Sequence, residues 1–348
     1  MKSSERIKSL LGIMIKFVLL PLLALGLLFY AFRDMDLREI WNIIKGADYL
    51  YVALSFLTGY IAFVLIGLRW IIPLESMGYK NISRLNSINA VTVTYIVNLM
   101  IPRAGEVARC TAMNQAEGIP VSRLLGTVIL ERAIDVIMLG GSILLTIALQ
   151  YDQMEAFAYK LLTLRQDTPA ERAISFKMII VIIIVAGIII TYIFRRRLRH
   201  TILYHKIEDF IKGMITGIAS IARMPHKWAF VGYTIAIWVM YYLMIYFMSY
   251  AFEQTHALSA ANILYLMTVG GLAQLVPVQG GIGAYHSAMK IGIPILGIAA
   301  ITPDVAMAFA TLNHATQTIM QLSTGAIALI LISRAHKRRI NHITKQKS

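Results

Sequence analysis

Residues 305–332 read VAMAFATLNHATQTIMQLSTGAIALILI, 28 residues without one Asp, Glu, Lys or Arg. Wound as an α-helix at about 1.5 Å per residue, such a run can cross the ~30 Å hydrocarbon layer of a bilayer. Its polar side chains Asn313, His314, Gln317 and Gln321 fall three or four residues apart. A helix therefore collects them into one stripe, which belongs against other protein rather than lipid. A membrane strand would alternate polar and apolar residues with a period of two, and this run does not.

Outward from this run the pattern repeats. Apolar stretches at 10–32, 49–72, 124–149, 178–194 and 228–252 are further candidate spans. Over the whole chain 58% of residues are hydrophobic and 15% charged, with a mean hydropathy of +0.67, whereas soluble domains carry roughly 25% charged residues. The fold class expected is all-α, a polytopic integral membrane protein with about six full spans and two broken, re-entrant-type hairpins. The first run follows Lys2, Arg6 and Lys8 as a signal peptide would. It is longer than the roughly 7–15 residues of a signal core, and no A-x-A site precedes Arg33, so it reads as a retained span.

The formal net charge is +15, but the basic residues lie in blocks beside the spans. Anionic lipid headgroups are the natural counter-charge there, and nucleic acid is set aside as a partner. Three blocks fix the orientation: Lys2, Arg6 and Lys8 before the first span; Arg195, Arg196, Arg197 and Arg199 after the fourth; and Arg334, Lys337, Arg338, Arg339, Lys345 and Lys347 after the last. An excess of Lys and Arg marks the cytoplasmic side, so both termini are expected there, with 333–348 as a basic cytoplasmic tail. Short loops without transit features point to a plasma or inner membrane. Cys110 is the single cysteine, which leaves no intrachain disulfide and no cysteine-based metal cluster. The sequence has no H-E-x-x-H or G-x-S-x-G, and Gly280, Gly281 and Gly283 are not followed by the Lys-Ser/Thr of a phosphate loop. Neither metal nor cofactor is expected, and an enzyme is the less favoured class.

With those blocks on one side, 85–123 must begin and end at the cytoplasmic face and 262–304 at the external face. Each must double back. The first contains Asn98-Leu-Met-Ile-Pro102-Arg-Ala-Gly105, the second Gln274-Leu-Val-Pro277-Val-Gln-Gly280-Gly281-Ile-Gly283. Both follow one pattern: amide, Leu, one or two apolar residues, Pro, two residues, Gly. Proline removes a backbone donor and glycine frees the chain, so each hairpin leaves peptide groups without helical partners. In lipid such groups persist only against protein or a water-filled cavity. With their flanking helices the hairpins make two units, 49–149 and 228–332, that run in opposite directions. This is the logic of an inverted repeat with a site where the broken helices meet; two unrelated proline kinks are the alternative.

Charge inside the spans marks candidate site residues. Glu106 and Arg109 are three apart and can pair on a helical face, leaving Arg103 for a phosphate; alternatively all three snorkel to headgroups. Glu131 falls about 12 Å into its span, where unpaired charge is costly. Arg132 and Asp135 can neutralise each other, while Glu131 and Asp135 can reach Arg103 or Arg109; a purely structural ion network is the competing reading. Asn313, His314 and Gln317 form a polar wall in the matching helix, either for substrate or for interhelical hydrogen bonds. His314 has the chemistry to exchange a proton. Gln279, Tyr285 and His286 stand beside the second break and line a cavity or simply pack.

The series Pro102-Arg-x-Gly-Glu106-x-x-Arg109, Glu131-Arg-x-x-Asp135 and Pro277-x-x-Gly-Gly-x-Gly283 resembles the membrane region of the lysylphosphatidylglycerol synthases, a flippase-like family. The resemblance covers about 10–332. It implies a domain that moves a lipid between leaflets, with aminoacyl transfer carried out by a separate cytoplasmic domain. The 16 residues after Ile332 are too few for that domain, so transport without transfer is expected, with a separately encoded transferase as a possible partner. The second hairpin departs from the family pattern, placing Tyr285-His286 where an acidic residue often follows the glycines. The leading expectation is a flippase-like protein for a lipid with an anionic phosphate headgroup. A membrane enzyme using Glu131, Asp135 and His314 as acid and base, and a scaffold for a transferase, are the alternatives.

Overall fold

The computed structural model describes residues 19–163 and 224–347. The expected span at 178–194, its Arg195–Arg199 block, and the start of the first run with Lys2, Arg6 and Lys8 lie outside the described residues. The described chain is helical: α1 Leu20–Phe32, α2 Leu37–Lys45, α3 Tyr49–Ser76, α4 Arg84–Met100, α5 Gly105–Glu117, α6 Val121–Leu149, α7 Tyr151–Thr163, α8 Lys227–Ser249, α9 Ala260–Ala273, α10 Ala284–Gly292 and α11 Pro303–Lys347. Starts are fixed locally. Asp36, Asp48, Ser83 and Ser259 accept hydrogen bonds from the first free amides of α2, α3, α4 and α9, satisfying donors that have no partner within the helix.

Among the described residues, α3, α6, α8 and α11 are long and apolar enough to cross a membrane. They present Ile129, Leu144, Leu145, Ile235, Ile319, Ile327 and Ile330 outward as exposed side chains. Water would penalise such a surface, whereas lipid accepts it. The chain is a polytopic helical membrane protein.

Both hairpins exist, and they are short. α5 has 13 residues and α10 has 9, about 20 Å and 14 Å at 1.5 Å per residue, well under the ~30 Å of hydrocarbon. Neither of these arms is long enough by itself to cross. Three boundaries differ from expectation. α6 starts at Val121 rather than 124, and α3 continues past Pro73 to Ser76. The tail expected as a separate segment continues α11 as helix to Lys347, where Arg339 Nη1 donates to the Asn114 carbonyl at 2.8 Å and His336 Nδ1 lies 3.1 Å from the Gln115 carbonyl. The Arg339 guanidinium at the C-terminal end of α5 is favoured by the carbonyls there. The amphipathic α2 and the helix α7 were not anticipated.

The helices pack in matched pairs. α3 lies along α8; α4 packs on α5 and α11, as α9 packs on α10 and α6; and α5 meets α6 as α10 meets α11. Of the buried clusters that result, the two largest surround Trp70, Met113 and Leu124 in one case and Tyr265, Met289 and Phe309 in the other, and a small one joins Val278 and Ala284 of the second hairpin to Ala24 of α1.

Candidate functional site

The first break is built by its own motif. Ile101 is extended, and Arg103 stands at φ 63°, a left-handed conformation that costs an L-residue about 1–2 kcal/mol. Asn98 Oδ1 accepts the Gly105 amide at 2.8 Å, closing the gap between α4 and α5. Any side chain at residue 105 would run into the Thr94 carbonyl and the Asn98 amide, so only glycine fits. At the second break Gly280, Gly281 and Gly283 all have positive φ, and the Gln274 amide lies against Gly281. In both halves the amide of the pattern thus lies against a glycine after the proline, Gly105 in the first and Gly281, one past the pattern's Gly280, in the second. The breaks also touch each other: Leu99 packs on Gly280, and Arg103 Nη2 donates to the Leu275 carbonyl at 3.3 Å.

Above the first break sits an ion cluster. Glu131 is 0% exposed and Arg109 is 2% exposed, and Arg109 Nη2 donates to Glu131 Oε2. Among the described residues Arg109 pairs with Glu131 across helices, not with Glu106 on its own helix as the spacing suggested. The three-residue spacing permits a pair on α5, but Arg109 faces inward over the Trp70 ring, 3.8 Å from its centroid, where Glu131 is the acid that meets it. Arg69, absent from the sequence expectations, is 1% exposed and bridges both acids: Nε lies 3.5 Å from Glu131 Oε1, and Nη2 donates to Asp135 Oδ1 at 3.1 Å. It also lies 3.4 Å from Thr234 Oγ1 on α8. Its signal was legible as an arginine inside the apolar run 49–72, where a charge calls for a partner.

Arg132 and Asp135 do pair as expected, at 3.1 Å, but they are 49% and 26% exposed. Glu106, Tyr95 and Tyr241 lie within electrostatic reach of this open end of the cluster. Three guanidiniums, Arg69, Arg109 and Arg132, face two carboxylates, Glu131 and Asp135. With Glu106 counted as the third carboxylate in reach of Arg132, these charges balance, and the exposed Arg103 leaves one positive charge in excess.

The second half carries no such charge. Asn313 Nδ2 donates to Tyr285 Oη at 2.5 Å, and His314 Nε2 lies 2.9 Å from the Gly280 carbonyl, fixing the glycine turn to α11. The His286 and His314 rings are 5.0 Å apart, centroid to centroid. Gln317 is half-buried on the same helix, and Gln279 is half-buried in the turn. Asn313 Oδ1, His286 Nδ1 and Gln279 Oε1 are enclosed and have no hydrogen-bond partner among the described residues.

The sequence-predicted residues thus fall into two groups. Arg109, Glu131, Arg132 and Asp135 meet around Arg69, while Gln279, Tyr285, His286, Asn313 and His314 meet around the second break. Among the described residues, no group of three or more His, Cys, Asp or Glu could hold a metal ion. Glu131, with both oxygens facing arginines, suits an anchoring role better than proton transfer. A family model described as the lysylphosphatidylglycerol synthase TM region matches residues 13–325. No curated protein and no solved structure matches the chain.

Proposed function

The chain belongs to the lysylphosphatidylglycerol synthase TM region family, a membrane protein family related to lipid handling, and on that premise we propose that it is a flippase-like protein moving a lipid with an anionic phosphate headgroup between leaflets. The observation that carries the reading is the division of the ion cluster. Glu131 anchors Arg69 and Arg109 in the interior, while Arg132 and Arg103 remain open, with positive charge in excess. Guanidiniums offer paired donors that match phosphate oxygens. Asp135 sits between Arg69 and Arg132, so an arriving phosphate replaces it on Arg132 while Asp135 stays neutralised by Arg69.

The two broken hairpins supply a route. In each an amide side chain lies against a glycine, and each break touches the other through Leu99 and Arg103 on one side and Gly280 and Leu275 on the other. Matched helix pairings accompany this and support an inverted repeat whose halves rock about the crossing. The plasma membrane, with both termini cytoplasmic, is the setting that the basic blocks favour.

The test is leaflet accessibility in vesicles holding purified protein and acyl-chain-labelled lipids. Protein-dependent translocation of an anionic phospholipid, lost in Arg103→Ala and Arg132→Ala while the fold persists, is the expected result. Unaltered translocation in both variants refutes the phosphate role, and a covalently altered lipid found by mass spectrometry moves the assignment to an enzyme.

A further inference from the structure

The two long helices that follow the hairpins carry their polar residues in the same register. Glu131, Arg132 and Asp135 stand ten, eleven and fourteen residues past the first residue of α6; Asn313, His314 and Gln317 stand at those same distances past the first residue of α11. Where one half places two carboxylates and a guanidinium, the other places two amides and an imidazole. This substitution changes what each half can bind.

In the charged half the two acids on α6 are already engaged. Glu131 serves Arg69 and Arg109, and Asp135 serves Arg69 and Arg132. In the neutral half, none of Gln279, Tyr285, His286, Asn313, His314 or Gln317 is acidic. Yet this half holds three enclosed polar atoms without partners among the described residues, Asn313 Oδ1, His286 Nδ1 and Gln279 Oε1, on side chains of which Asn313 is 0% and His286 5% exposed. A buried polar atom left unpaired is costly, and a ligand that pairs it recovers that loss. The crossing of the two breaks, Arg103 on the Leu275 carbonyl and Leu99 on Gly280, joins the turn that carries Gln279 to the first hairpin that carries Arg103.

Resting on the transport reading, we propose that Gln279, His286 and Asn313 form the subsite for the rest of the headgroup, and that this headgroup is uncharged and hydroxyl-bearing. Hydroxyls donate to the amide oxygens Asn313 Oδ1 and Gln279 Oε1 and accept from or donate to the imidazole, as its tautomer requires. A cationic aminoacyl group finds no free carboxylate here and loses its hydration without compensation. The chain therefore selects a polyol phosphodiester over an aminoacylated lipid and over a bare phosphomonoester.

The experiment reconstitutes the full chain in phosphatidylcholine vesicles with traces of acyl-chain-labelled phosphatidylglycerol, lysyl-phosphatidylglycerol or phosphatidic acid, with leaflet exposure read by dithionite quenching. Phosphatidylglycerol should move about tenfold faster than either competitor, the ratio expected for one or two net hydrogen bonds. Gln279→Ala, at a half-buried turn position, should bring that ratio close to one, and Asn313→Asp should shift it about tenfold towards the lysyl lipid. A wild-type protein that moves the lysyl lipid as fast as phosphatidylglycerol, or a Gln279→Ala protein with the full preference, overturns the subsite assignment and leaves transport standing. Failure to move any of the three lipids overturns the transport reading itself, and the subsite with it.

Discussion

Replacing Glu131 by Gln removes one negative charge from a position that is 0% exposed and faces two buried arginines. The two do not suffer equally. Arg69 keeps Asp135 at 3.1 Å, whereas Glu131 is the one acid paired with Arg109 among the described residues. Breaking a buried pair by removing one partner costs about 3–5 kcal/mol. Arg109 retains its contact with the Trp70 face at 3.8 Å, worth about 1–2 kcal/mol when desolvated but present before and after the change, so it does not reduce the loss. A cost of about 3 kcal/mol at the low end corresponds to a fall in Tm of about 6–12 °C, at the 2–4 °C per kcal/mol of a mid-sized domain. Thermal unfolding of the detergent-solubilised protein, followed by its own tryptophan fluorescence, measures it. The double variant Glu131→Gln with Arg109→Met removes both members of the pair, and it should regain more than half of the lost Tm because the stranded charge is gone. A fall of less than about 2 °C in the single variant, or a double variant as unstable as the sum of the two singles, would refute the reasoning that Glu131 is an anchor.

Three further outcomes follow from the same geometry. Arg132→Ala breaks a half-exposed pair and should cost no more than about 1 kcal/mol in unfolding measurements, while abolishing lipid translocation; a large loss of stability would assign Arg132 to the frame. Arg103→Gly relieves the left-handed strain at φ 63° and should raise stability by about 1 kcal/mol, yet lower the translocation rate by tenfold or more, so an unimpaired rate would remove Arg103 from the site. Gly105→Ala forces a Cβ onto the Thr94 carbonyl and the Asn98 amide. Because the backbone there cannot yield, purified yield and Tm should both drop by an amount equivalent to about 1–3 kcal/mol, and a normal melting curve would contradict the packing of the first break.

Much of this protein was legible in the order of its residues. Apolar runs longer than the bilayer is thick, such as 305–332, dictate helices, because only helices satisfy their own backbone groups in lipid. The shared pattern around Pro102 and Pro277 dictated two broken hairpins, since proline and glycine leave the same gap wherever they occur together. Spacing along one helix also gave the pair of Arg132 with Asp135. What spacing could not give was the choice among partners on different helices. Glu106 is as close to Arg109 in sequence as Asp135 is to Arg132, but packing turned Arg109 inward over Trp70, and there it met Glu131 from α6 and, through it, Arg69 from α3. The reciprocal contact of the two breaks, Arg103 to Leu275 and Leu99 to Gly280, joins residues more than 170 positions apart. A periodic pattern states which face of a helix is polar; which charge answers it depends on the neighbouring helix, and only the tertiary structure places that neighbour.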